Sequence, residues 1–232
     1  MKAAVLLFPG INRERDAVRA LRAAGHEANV VWHSETALPA GTDLVVLPGG
    51  FSYGDYLRCG AIAARAPVMA AVRAHAGRGG LVLAICNGFQ IACEAGLLPG
   101  VLVRNAGLRF VSHLQAVSVE RADTAFTRGF APGATARFCV AHGEGNYTAD
   151  DETVRRLEGE GRVAFRYLDA GGHGAGNPNG SVRNIAGIYS EGLNVLGLMP
   201  HPENLIDPLV GGTDGLTLFR SLTGQDITAS AT

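Results

Sequence analysis

Four short, almost wholly apolar runs constrain this chain more than any other feature: residues 3–8, Leu44–Leu47, Leu81–Ile85 and residues 195–199. Runs of this length and character are those of β-strands buried on both faces, as in a parallel sheet covered by helices. Helical patterning lies between them. Residues 13–24 set Val18, Leu21 and Ala24 on one stripe, leave Arg15, Arg19 and Arg22 outside it, and stop at Gly25. Residues 87–95, 150–157 and 215–222 also have helical character. Strand alternating with helix means an α/β fold.

The middle of the chain differs. Residues 101–145 contain shorter alternating segments, notably 115–120 and 137–141, which predict antiparallel strands added to the parallel core. Residues 171–181 are rich in turn formers. Their glycines neither follow an apolar strand nor open a helix, so they are no dinucleotide-binding fingerprint. The expected architecture is an open, mostly parallel, flavodoxin-like sheet with helices on both faces and added antiparallel strands. It forms a single domain over residues 1–225, followed by a polar tail at 226–232.

Charge and cysteine usage narrow the class. Twenty Lys and Arg against 21 Asp and Glu give a formal net charge of −1, without the basic excess on which nucleic-acid and membrane-surface proteins depend. No run of 18 apolar residues is present, so no transmembrane helix is expected. The four cysteines, at 59, 86, 93 and 139, form no Cys-x-x-Cys pair, which argues against a structural zinc site. They are too sparse for a disulfide scaffold and fit a reduced, cytoplasmic chain.

Ligands of open α/β sheets bind at the carboxyl ends of the strands. Here those ends read Pro9-Gly10-Ile11-Asn12, Pro48-Gly49-Gly50-Phe51, Cys86-Asn87-Gly88 and Pro200-His201-Pro202-Glu203. A parallel sheet would bring them to one edge. Cys86 lies between strand and helix in Ala84-Ile85-Cys86-Asn87-Gly88, with small residues two before and two after. That is the sequence of a nucleophile elbow, whose helix N-terminus favours a thiolate and whose Asn87 N–H can face an oxyanion. Gly49-Gly50 would let the backbone approach a ligand and supply a second N–H. Two histidines precede a glutamate by two residues: His142-Gly143-Glu144 and His201-Pro202-Glu203. The second follows an apolar strand and is stiffened by Pro202, so it is favoured as base and orienter. The first remains open. Cys59, Cys93 and Cys139 lack such a setting and read as core or bystander thiols.

Taken together, these residues resemble the class I (triad) glutamine amidotransferases. Within them they resemble the glutaminase subunits of phosphoribosylformylglycinamidine synthases. The matching segments are Gly49-Gly50-Phe51-Ser52-Tyr53-Gly54-Asp55, Cys86-Asn87-Gly88-Phe89-Gln90, Ala141-His142-Gly143-Glu144-Gly145-Asn146-Tyr147, Asn177-Pro178-Asn179-Gly180-Ser181 and Pro200-His201-Pro202-Glu203, in the family's order. The resemblance implies a triad of Cys86, His201 and Glu203. It also implies an oxyanion hole from the Gly50 and Asn87 backbone beside Gly49, and glutamine contacts that include Gln90. His142 would belong to a loop near the site or the partner surface, and residues 104–110 would border the pocket. Ala84 departs from the family, which usually has glycine there, so a slightly more strained elbow is expected.

The resemblance further implies that glutamine is hydrolysed to glutamate and ammonia. The ammonia is used by a large ATP-dependent synthetase subunit, with a small bridging subunit as a further partner. No phosphate loop of the Gly-x-x-x-x-Gly-Lys-Ser/Thr type occurs, so ATP and magnesium are expected on the synthetase, with no cofactor and no metal in this chain. The rival readings are a cysteine hydrolase or peptidase, a stress-related cysteine protein without a working His–Glu pair, and a silent binding subunit.

Overall fold

The computed structural model describes residues 1–169 and 176–223. The polar tail at 226–232 and part of the loop at 171–181 lie outside the described residues. Eleven strands are described: β1 (Lys2–Leu7), β2 (Glu27–Trp32), β3 (Leu44–Leu47), β4 (Leu81–Ile85), β5 (Val101–Val103), β6 (Val111–Val119), β7 (Thr135–His142), β8 (Asn146–Thr148), β9 (Val163–Tyr167), β10 (Ile185–Tyr189) and β11 (Val195–Leu198). The α-helices are α1 (Glu14–Ala23), α2 (Val68–Gly77), α3 (Asn87–Glu94), α4 (Asp151–Gly159) and α5 (Asp214–Ser221).

Nine strands form one sheet in the order β2-β1-β3-β4-β11-β10-β9-β6-β7. The β2 to β11 half is parallel, and the remaining pairings are antiparallel. The four apolar runs became β1, β3, β4 and β11, and β3, β4 and β11 are buried almost throughout. This is the α/β fold expected, with antiparallel β6 and β7 in the middle of the chain as anticipated and β9 and β10, which were not, joining them from beyond residue 145.

The chain moves outward from β1 to β2 and the opposite way from β3 to β4. Right-handed crossovers therefore place α1 and α2 on opposite faces. Helix α1 packs with α5, whereas α3 packs on β3, β4 and β11. The reversal between β1 and β3 is a topological switch point, where a crevice opens at the carboxyl ends. Register then aligns those ends. Leu47 lies opposite Ala84, and Ile85 opposite Leu198, so the residues that follow β3, β4 and β11 emerge side by side.

Strand β2 is not anticipated in the sequence because it is an edge strand, with Val30 and Trp32 exposed and an irregular burial pattern. Helix α1 buries Ala17, Ala20 and Leu21, so its core stripe is centred slightly away from Val18 and Ala24. Among the described residues no helix is long and apolar enough to cross a membrane.

Candidate active site

Cys86 ends β4 and precedes the first residue of α3, with φ 51° and ψ −107°. A non-glycine residue held there stores roughly 1–3 kcal/mol of strain, which the surrounding packing must hold. The grip is visible. The Cys86 N–H donates to Leu198 O at 2.8 Å, while its carbonyl accepts from the N–H groups of Phe89 and Gln90 at 2.9 and 3.2 Å. Two residues on, a Cβ at Gly88 would meet Leu47 O at 1.9 Å, so only glycine lets the helix start against β3. Ala84 is fully buried. The Asn87 N–H opens α3 and has no intrahelical acceptor, so it and the helix dipole are free for an anion near the sulfur.

His201 follows β11 and is tied across to β7 by its N–H on Cys139 O at 2.7 Å. Its Nδ1 lies 2.7 Å from Glu203 Oε1, with both side chains buried. That bond assigns the Nδ1 proton to the carboxylate and turns Nε2 toward Cys86. Burial disfavours charge on His201, but the Glu203 carboxylate, its hydrogen bond to Nδ1 and the neighbouring Cys86 sulfur hold its pKa well above the ordinary histidine value. Gly49 supplies the room for this contact. A Cβ there would stand 2.7 Å from His201 Cε1 and 3.4 Å from Cys86 Cβ.

The loop after β3 is zipped to the loop after β1. Phe51 N–H donates to Gly10 O at 3.0 Å and Arg13 N–H to Gly49 O at 3.2 Å. Gly50, with φ 149°, passes so close that a Cβ would meet Ile11 Cα at 2.7 Å. The Asn87 side chain fastens the same loop to α3, its Oδ1 accepting from Ser52 N–H at 3.0 Å. Gly50, Cys86, Gln90 and His201 line one cavity of about 410 Å³, together with Phe110 of the 104–110 segment. Gln90 reaches it with its amide already engaged. Its Oε1 accepts from Asn87 Nδ2 at 2.8 Å, and its Nε2 donates to Glu144 O at 2.7 Å.

The other histidine, His142, lies on the same cavity but is differently held. Its Nε2 accepts from Asn179 Nδ2 at 3.0 Å. Glu144 turns away from it, to Cys59 Sγ at 2.9 Å. Burial, aided by the charges of His201 and His113, lowers the pKa of His142 to about 3, so it stays neutral. Of the two His-x-Glu pairs, only His201–Glu203 makes an imidazole–carboxylate contact.

Sequence reasoning missed three features here. Cys59, read as a core or bystander thiol, is buried and also forms a wall of this cavity. Asn105 clamps the loop after β7, donating to His142 O at 2.9 Å and accepting from Gly145 N–H at 2.9 Å. Asn179 braces His142 and Tyr167, and its Oδ1 accepts from Ser181 N–H at 3.0 Å. A buried asparagine with both ends of its amide used has no periodic signature in sequence. Among the described residues, no group of three or more His, Cys, Asp or Glu side chains is arranged to hold a metal ion.

The model of the CobB/CobQ-like glutamine amidotransferase domain matches residues 1–212. The chain is 64% identical over 225 residues to the phosphoribosylformylglycinamidine synthase subunit PurQ of Nitrobacter winogradskyi, covering 96% of this chain and 97% of that one. It is 56% identical over 225 residues to the subunit of the same name from Brucella suis, covering 97% and 99%. In the solved structure of PurLQS from Thermotoga maritima, one chain superposes with a TM-score of 0.86 at 41% identity, covering 96% of this chain and 97% of that one. A putative GMP synthase subunit from Thermoplasma acidophilum shares the fold, with a TM-score of 0.64 at 19% identity. The chain is a class I glutamine amidotransferase and belongs to the CobB/CobQ-like family.

Proposed function

We propose that this chain is the cytoplasmic glutaminase subunit of a phosphoribosylformylglycinamidine synthase, with Cys86 as nucleophile, His201 as base and Glu203 as its orienter. One observation carries the reading. A cysteine strained to φ 51° at a helix N-terminus shares a cavity with a buried histidine whose far nitrogen is held by a carboxylate at 2.7 Å. The likeness to named PurQ subunits over nearly the whole chain supports the choice of substrate class.

His201 takes the Cys86 proton and the thiolate attacks the side-chain amide carbon of glutamine. The carbonyl electron pair moves to oxygen, where the Gly50 and Asn87 N–H groups receive it. Losing one such donor costs about 2.7–4 kcal/mol in other enzymes. The tetrahedral adduct collapses, the C–N bond breaks, and His201 gives its proton to the leaving nitrogen as ammonia. A γ-glutamyl thioester remains on Cys86. Water then attacks it with His201 again as base, which releases glutamate and restores the thiol. Gly49 and Gln90 act here by shaping the pocket, Gly49 by leaving room for the imidazole and Gln90 by bracing its wall.

The ammonia passes to a large synthetase subunit, which holds ATP and magnesium and converts formylglycinamide ribonucleotide to its amidine. The solved relative from Thermotoga maritima is titled as PurLQS. Accordingly we propose two partners for this chain, the synthetase and a small bridging subunit.

The test is alkylation by a glutamine-mimicking diazo-ketone, mapped by mass spectrometry with and without the synthetase. A single adduct on Cys86 that glutamine blocks and His201→Ala abolishes is expected. An adduct on another cysteine would overturn the triad, and labelling indifferent to glutamine would return the chain to the peptidase-like hydrolases.

A further inference from the structure

The loop that follows β3 carries Gly50, and it takes a path that its own residues disfavour. Tyr53, Asp55 and Leu57 have φ of 54°, 55° and 71°, so three non-glycine residues lie in the left-handed region within five positions. A side chain crowds the backbone there, and such a path persists only where surrounding contacts impose it. The Ser52 hydroxyl adds to the tension, because it is buried and has no hydrogen-bond partner.

Tyr53 supplies contacts of the required kind. Its N–H donates to Pro9 O at 2.6 Å, which ties it to the loop after β1. Its hydroxyl is hydrogen-bonded to His33 Nδ1 at 2.9 Å, and its ring stands edge-on to the imidazole with centroids 5.6 Å apart. His33, the residue after β2, is a fixed post. Its N–H donates to Leu7 O at 3.0 Å, and its carbonyl accepts from Val68 N–H at 3.3 Å. Its ring lies between those of Trp32 and Phe8, at centroid distances of 4.6 and 6.3 Å. Tyr53 thus joins the segments that leave β1, β2 and β3. The first and third of these are the two that close on each other around Gly50, where a Cβ on Gly10 would meet Phe51 O at 2.2 Å. Neither His33 nor Tyr53 lines the catalytic cavity, and the thioester chemistry uses neither.

We propose, resting on the glutaminase reading, that the hydrogen bond between Tyr53 and His33 is a latch that holds this strained loop and so sets the Gly50 N–H relative to Cys86. Both are positioning residues, which act on the transition state from outside the cavity. The oxyanion exists only after the sulfur has attacked. A loosened latch therefore lowers kcat and leaves KM nearly unchanged.

The test measures glutamine hydrolysis in the complex with the synthetase at saturating concentration. Tyr53→Phe keeps the ring and removes the hydroxyl, and His33→Ala removes the acceptor. Each is expected to lower kcat at least about tenfold, a fraction of the loss of a whole oxyanion donor. The double variant should be no slower than the slower single one, because both remove the same bond. His33→Asn, whose amide can offer a donor or an acceptor where Nδ1 stands, should recover most of the rate. Alkylation of Cys86 by iodoacetamide, a displacement that forms no oxyanion, should keep its wild-type rate in every variant. Equal losses of turnover and alkylation would overturn the proposal, since the elbow rather than the loop would have moved. So would a lowered melting midpoint with kcat intact, or a deficit confined to low synthetase concentration, which would assign the pair to stability or to docking. Should His33→Ala fail to fold, Tyr53→Phe and His33→Asn carry the same comparison. A wild type that does not hydrolyse glutamine would sink the glutaminase reading and the latch with it. An active wild type with indifferent variants would sink the latch alone.

Discussion

At the scale of single residues, the site depends on where no side chain exists. Gly49 leaves room for the imidazole of His201 beside Cys86, and a methyl group there would meet Cε1 at 2.7 Å. Its backbone lies outside the left-handed region, so alanine costs contact rather than strain. Gly49→Ala should therefore lower kcat/KM at least about tenfold, since a displacement of about 1 Å in a catalytic group can cost a hundredfold. The melting midpoint should shift little. A large fall in midpoint with activity retained below it would assign Gly49 to folding instead. Residue-scale chemistry also separates the two histidines. The sequence pattern His-x-Glu occurs twice, yet Glu144 faces a thiol and Glu203 faces an imidazole.

At the scale of elements, two contacts hold the elbow and its neighbouring loop. Helix α3 abuts β3 at Gly88, where a Cβ would collide with a backbone carbonyl rather than a flexible side chain. Gly88→Ala should destabilise the protein by about 3 kcal/mol, the upper end of the overpacking range, as denaturant unfolding would measure. The surviving folded fraction should also be inactive, because Cys86 moves with the helix. The loop after β7 is braced by Asn179, whose amide serves His142, Tyr167 and Ser181. Asn179→Ala leaves those buried polar groups unpaired and should cost about 1–3 kcal/mol. Ser at this position, which keeps an acceptor for the Ser181 N–H, should recover part of the loss. No recovery would place the role of Asn179 in its Nδ2 donors alone.

At the scale of the molecule, the histidines give stability a pH profile with two limbs. His142 has a folded pKa of about 3, below its ordinary value of 6.5, because burial excludes its charge. The unfolded chain therefore binds this proton first, and stability falls as pH drops through that window. His26, buried where Nε2 meets Phe219 O at 2.9 Å, is lowered for the same reason and acts in the same direction. His201 works oppositely. Its folded pKa is raised by Glu203 and Cys86 despite burial, so its contribution is full below the unfolded value and is lost as pH rises through the folded one. The drop in unfolding free energy from about pH 7.5 to about pH 5 should shrink by about 2 kcal/mol in His142→Asn, which takes no proton in either state. An unchanged acid limb would show that His142 is protonated in the folded protein.

The strands that build the parallel half were legible because burial on both faces demands unbroken apolar runs, which β1, β3, β4 and β11 are. The elbow at Cys86 and the His201-Pro202-Glu203 segment were legible too, since strand ends, small residues and prolines are local signals. The sequence by itself thus determined the fold class, the family and the residues offered as a triad. Only the tertiary structure decided what depends on distance between remote segments. Strand register set β3, β4 and β11 level, so that Gly49, Cys86 and His201 emerge together. Packing turned Glu144 to Cys59 across 85 positions of chain. Asn105 and Asn179 became braces only once the loops they join were folded against them. Local patterning is written in one-dimensional order, whereas a cavity is a property of residues that the backbone brings together from everywhere else.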